Sequence, residues 1–288
     1  MRWVWRGTTP AVRTTGSMRR FPGGAPSLSP VAALPNRDRI VIAACVVLLT
    51  ALAWAYLIHL DGRMSASMEF ASQMAAMGMT MDKPWTAADA FFTFAMWAVM
   101  MVGMMAGTAM PMLLLFAGAH AGRGQRGAPL GVLLFGLGYL TVWTGFSALA
   151  TLAQWALHQT AMLSPAMKTS SPRLAGVILL AAGAYQLTPW KGACLTHCRS
   201  PLGFLMTNWR DGKWGAIRMG LVHGAYCLGC CWALMSVLFV VGVMNLAWVA
   251  ALTVFVLLEK IGPAGAIVAR VAGAAIAVLG VLLIAAIA

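Results

Sequence analysis

Between residues 40 and 60 the chain runs I-V-I-A-A-C-V-V-L-L-T-A-L-A-W-A-Y-L-I-H-L without a single Asp, Glu, Lys or Arg. Wound as a helix rising about 1.5 Å per residue, such a run crosses the ~30 Å hydrocarbon core of a bilayer. Similar runs recur to the C-terminus. Only 9% of the chain is charged and 61% is hydrophobic, against roughly 25% charged in an ordinary globular domain. Too little charge is present to cover a water-facing surface. In lipid every backbone polar group must be satisfied internally, and apolar runs of this length achieve that as helices. The sequence predicts an all-α fold, a polytopic transmembrane helical bundle of about seven spans. These fall near residues 40–60, 90–119, 130–157, 174–190, 219–243, 246–258 and 264–288.

Residues 1–39 are rich in Arg, Pro, Ser and Gly and show no helical period. They predict a disordered basic cytoplasmic tail ahead of a single transmembrane metal-binding domain over residues 40–288. The net charge of +13 does not indicate nucleic acid, because the positive residues gather in the tail and in particular loops, as cytoplasmic segments do. Arg123 and Arg126, the basic loop from Lys191 to Arg218, and Glu259-Lys260 alternate correctly with seven spans. This places the N-terminus in the cytoplasm of a bacterial inner membrane. The loop over residues 61–89, acidic and methionine-rich, then faces outward. Glu259 and Lys260 read as an ion pair at the membrane boundary, or with Glu259 turned into the bundle.

Five of the six cysteines and two of the five histidines lie between Cys194 and Cys231. The order is C-L-T-H-C, a basic loop, then H-G-A-Y-C-L-G-C-C. At 100° per residue, His223, Cys227, Cys230 and Cys231 share an arc of roughly 100° on one helix, and the ladder is about 12 Å long. One small ion cannot reach all four. Cys194, His197 and Cys198, just past the fourth span, are expected at similar depth and can supply further ligands. Soft thiolates with imidazole favour Cu(I). Zinc is the second metal, though it more naturally uses a compact soluble knuckle. Cys227-Leu-Gly-Cys230 is also a Cys-x-x-Cys, which keeps a membrane thiol–disulfide oxidoreductase as the alternative. A Walker loop, a Ser/His/Asp arrangement and a hydrolase-spaced acidic pair are all missing, so binding rather than catalysis is expected.

The methionines extend the pattern. Met96, Met100 and Met104 form an i, i+4, i+8 row in the second span. Met101, Met105 and Met112 form another, and Met77, Met79 and Met81 alternate in the outer loop. Thioethers bind Cu(I) without deprotonation. Met96, Met100, Met104, Met77, Met79 and Met81 are therefore candidate metal contacts. The arrangement suits copper held for transport or for delivery to a metalloenzyme, with a copper chaperone or that enzyme as partner.

The segments M-W-A-V-M-M-V-G-M-M, Y-Q-L-T-P-W-K-G-A-C-L-T-H-C-R-S-P, H-G-A-Y-C-L-G-C-C-W-A-L-M and G-V-M-N-L-A-W through V-L-L-E-K-I-G-P carry a resemblance. Over residues 40–288 the chain resembles a bacterial family of predicted metal-binding integral membrane proteins (domain of unknown function 2182). In the second span this chain has Ala106-Gly107-Thr108 where that family tends to place a Pro-Ser pair. The resemblance implies metal binding in the membrane and leaves transport against delivery open.

Overall fold

The computed structural model describes residues 34–77, 85–122, 128–160 and 169–286. Nearly all of the basic tail, the Arg123/Arg126 turn and the candidate ligands Met79 and Met81 lie outside them. No β-strand occurs among the described residues.

The first helix, α1 (Asn36–Ala76), runs well beyond the expected end at residue 60. Residues 61–76 hold four Ala and three Met, with Glu69 and Gln73, all of which favour helix. Much of the expected outer loop is therefore helical, and Met77 sits exposed at the helix end. Helix α2 (Ala87–Gly122) is started by a reciprocal cap. The Asp89 carboxylate accepts from the Thr86 amide and hydroxyl at 2.9 and 2.6 Å, and the Thr86 hydroxyl accepts from the Asp89 amide. Helix α3 (Ala128–Gln159) follows, and then α4 (Pro172–Gln186).

The segment read as a basic loop is instead two short helices, α5 (Pro189–Arg199) and α6 (Pro201–Asn208). Each begins with proline, whose fixed φ suits the first helical turn. Thr188 caps α5 by accepting from the Lys191 amide. Helix α7 (Gly212–Ser236) starts seven residues before the expected span and is extended by the turn α8 (Leu238–Val241). Gly242, at φ 104°, ends that turn. Helices α9 (Leu246–Ile261) and α10 (Gly265–Ala285) complete the chain.

Five helical segments are long and apolar enough to cross a membrane, at 36–67, 87–122, 129–159, 212–241 and 265–285. Helices α2 and α7 are the most enclosed, with α3 packed on both, α1 on α2, and α10 on α4. Small residues allow the closest approaches, as membrane helices require. A Cβ at Gly220 of α7 would run into the Phe135 carbonyl of α3. A Cβ at Gly183 of α4 would lie 2.7 Å from the Gly273 carbonyl of α10.

Helices α4 and α9 are short. Their C-terminal ends meet at the level where α5 packs against the middle of α7. A polar junction forms there. Lys191 bridges Glu259 at 2.8 Å, and Gln186 hydrogen-bonds both residues. Arg199 donates to the carbonyls of Glu259 and Gly262 at 2.5 and 2.8 Å, fixing the turn between α9 and α10. Lys191 is thus an interior residue and not a loop charge. Glu259 does turn into the bundle, but its salt-bridge partner is Lys191 and not its neighbour Lys260.

Candidate metal centre

The ladder on α7 comes first. His223, Cys227, Cys230 and Cys231 are all buried, as their shared arc predicts. Because α7 begins at Gly212, His223 lies about three turns into the helix. The Cys231 thiol donates to the Cys227 carbonyl at 2.7 Å, and the Cys230 thiol does so at 3.1 Å.

Helix α5 supplies the second group. Its Cys198 sulfur stands 3.9 Å from that of Cys230, and the Cys230 and Cys231 sulfurs are 3.8 Å apart. Hydrogen bonds with Cys227 and Cys230, reinforced by burial, hold the Cys198 thiol well above its ordinary pKa. Burial, followed by the charge of Cys230, also pushes the Cys194 thiol up. Cys194 rests on bare backbone, since a Cβ at Gly229 would come within 2.8 Å of its sulfur. The glycine of C-L-G-C-C is therefore what lets α5 approach α7 here. The Tyr185 hydroxyl donates to the Gly229 carbonyl at 2.5 Å and ties α4 to the same turn.

A residue missed by the sequence reading completes the cluster. The Lys260 ammonium reaches across from α9 to within 2.9 Å of the Cys227 sulfur. It also lies 3.5 Å from the Thr108 hydroxyl and 3.9 Å from the Met105 sulfur, both on α2. The Tyr139 hydroxyl of α3 meets the same Cys227 sulfur at 3.0 Å. Lys260 was readable as a membrane-boundary charge. Its adjacency to Glu259 suggested a pair, yet neighbours on a helix point about 100° apart.

The two histidines have aromatic neighbours. His223 lies among aromatic rings, with centroids at 5.9 Å to Phe135, 5.9 Å to Tyr139 and 5.3 Å to Phe204. Its Nδ1 is buried without a hydrogen-bond partner. His197 stacks on Tyr226 at 4.2 Å, and its Nδ1 meets the Ala193 carbonyl of its own helix at 2.9 Å. Met96, Met100 and Met104 are buried in the same apolar cluster as Cys227, Cys230 and Cys231. Met105 is the methionine that reaches Lys260.

Among the described residues, no three His, Cys, Asp or Glu side chains are arranged to hold a metal ion. The thiols are all free. Bonds of about 2.3 Å to two thiolates give a sulfur–sulfur distance of roughly 3.8–3.9 Å at angles near ~115°. The pairing Cys227/Cys230 is less favoured, because Cys230 faces Cys198 and Cys231 while the Cys227 sulfur is engaged by Lys260 and Tyr139.

These features define a helical protein with several membrane-length segments and a buried thiol cluster. The sequence model of the PpoB2 family, described as a copper chaperone, matches residues 94–283, and the chain belongs to that family. The match runs from α2 to α10 and takes in every thiol of the cluster. No curated protein and no solved structure is significantly similar to the chain.

Proposed function

We propose that the chain is a polytopic membrane copper chaperone that holds Cu(I) as cargo between Cys198 and Cys230 and hands it to a metalloenzyme. The observation that carries this reading is the 3.9 Å approach of those two sulfurs across α5 and α7. Membership of a copper-chaperone family supports it. On binding, each thiol gives up its proton and both sulfurs ligate the one ion. Cys231, 3.8 Å from Cys230, is the adjoining thiol for ligand exchange. Cys194 and Cys227 flank the pair. A thioether from the buried methionines can add a third soft ligand. Zinc fits less well, since it calls for four ligands in tetrahedral array and no such convergence is present among the described residues.

Seven spans arise if the short α4 and α9 cross with the five longer segments. Arg37 and Arg39 in the first turn of α1, Arg210 between α6 and α7, and Lys213 and Arg218 in the first turns of α7 are exposed. They mark the cytoplasmic side in a bacterial inner membrane. Met96, Met100 and Met104 then form a thioether column in α2 that approaches the thiols, with Met77 near the outer end. His197 and His223 act in packing and not as ligands.

The test is copper stoichiometry of the detergent-purified protein, loaded with Cu(I) under reducing conditions against a competing chelator. Wild type should retain one copper. Cys198→Ser combined with Cys230→Ser should lose it, and Cys45→Ser should keep it. Full retention in the double variant would refute the site.

A further inference from the structure

We infer that the cavity between the end of α6 and the start of α7 holds the phosphodiester headgroup of an anionic phospholipid from the cytoplasmic leaflet. This rests on the membrane reading of the chain and on no part of the copper site. The cavity measures about 370 Å³, within the range of small-ligand pockets. Arg210 and Arg218 line it, together with Trp209 and the apolar Met219 and Val222. Neither guanidinium has a hydrogen-bond or salt-bridge partner among the described residues. Arg210, Lys213 and Arg218 stand against a single acid in this stretch, Asp211, whose carboxylate accepts from the Trp209 indole at 2.8 Å. The local balance is therefore positive. The Asn208 amide, also in the lining, already donates to the Phe204 carbonyl and the Thr207 hydroxyl. Recognition falls to the two arginines, whose planar fork matches a phosphate anion.

The backbone holds the cavity in shape. Gly212, at φ 81°, turns the chain into α7. A Cβ at Gly215 would lie 2.5 Å from the Arg210 carbonyl, so the connecting turn rests directly on the helix. Trp209 packs on Phe116 of α2, with ring centroids 5.7 Å apart. The surroundings favour a lipid over a free phosphate ion. Met206 and Trp214, 78% and 82% exposed, flank the arginines in sequence. Tryptophan gathers at the headgroup level of a bilayer. An acyl chain can lie on such an apolar flank, whereas a free ion gains nothing from it. Basic pockets between helices on the cytoplasmic side attract the anionic lipids of that leaflet. A zwitterionic lipid brings its own cation, which the two arginines repel.

The experiment delipidates the full chain in a neutral detergent and titrates it with dioleoylphosphatidylglycerol or dioleoylphosphatidylcholine, with and without inorganic phosphate. Native mass spectrometry counts the lipid retained. Wild type should prefer phosphatidylglycerol by roughly tenfold or more, a comparison that needs no variant. Arg210→Gln with Arg218→Gln should abolish that preference while leaving the size-exclusion profile and copper retention unchanged. Arg37→Gln with Arg39→Gln should keep it. Equal retention of the two lipids by wild type, or an equal loss in both paired variants, would overturn the inference and leave the copper reading standing. Displacement of the lipid by inorganic phosphate at equal concentration would also overturn it, marking a site for a free anion. A chain that stays in solution without detergent would overturn the membrane reading along with it.

Discussion

Lys191 and Glu259, separated by 68 positions in the chain, form a salt bridge of 2.8 Å in which both side chains are 1% exposed. It joins the start of α5 to the end of α9, and so holds the helix bearing Cys194 and Cys198 against the helix bearing Lys260. Removing one partner leaves the other charged and buried, at a cost of about 3–5 kcal/mol. Lys191→Met or Glu259→Gln alone should lower the thermal midpoint in detergent markedly. The double variant Lys191→Met with Glu259→Met should recover much of that loss. Additive destabilisation would show that the pair is not coupled.

Helix contact at glycine gives a second test. Gly220 faces the Phe135 carbonyl with no room for a side chain, whereas a Cβ at Gly136 meets nothing within 4 Å. Gly220→Ala should destabilise by about 1–3 kcal/mol through forced separation of α3 and α7. Gly136→Ala should be neutral or stabilising by up to ~1 kcal/mol, since alanine favours helix. Thermal unfolding of the two variants side by side reads the contrast directly.

Gly229 links packing to the thiols. A methyl group there pushes on the Cys194 sulfur, and with it on α5. Gly229→Ala should weaken copper retention severalfold through displacement of Cys198 from Cys230, and lower the thermal midpoint by less than Gly220→Ala does. Copper retention equal to wild type would separate Gly229 from the site.

The helical architecture was legible because unbroken apolar runs leave one solution in lipid. The places where the reading failed share a physical cause. The charges of residues 61–76 suggest a loop, but their alanines and methionines favour helix and α1 continues through them. The positive charges of Lys191 and Arg199 suggest a loop, while Thr188-Pro189 and Ser200-Pro201 mark two helix starts. The ladder of His223, Cys227, Cys230 and Cys231 followed from helical periodicity and is buried as expected. Periodicity does not report which neighbour each side chain meets. The aromatic surroundings of His223, the stacking of His197 on Tyr226 and the reach of Lys260 to Cys227 all depend on helices distant in sequence.

The central claim is that copper sits on thiolate sulfur at the α5–α7 contact. X-ray absorption at the copper edge of the Cu(I)-loaded protein tests it most directly. The expected spectrum shows two or three sulfur neighbours at about 2.2–2.3 Å and no nitrogen bound to the copper, and the signal vanishes in Cys198→Ser with Cys230→Ser. A spectrum of nitrogen or oxygen neighbours, or a sulfur shell that survives the double substitution, would contradict it.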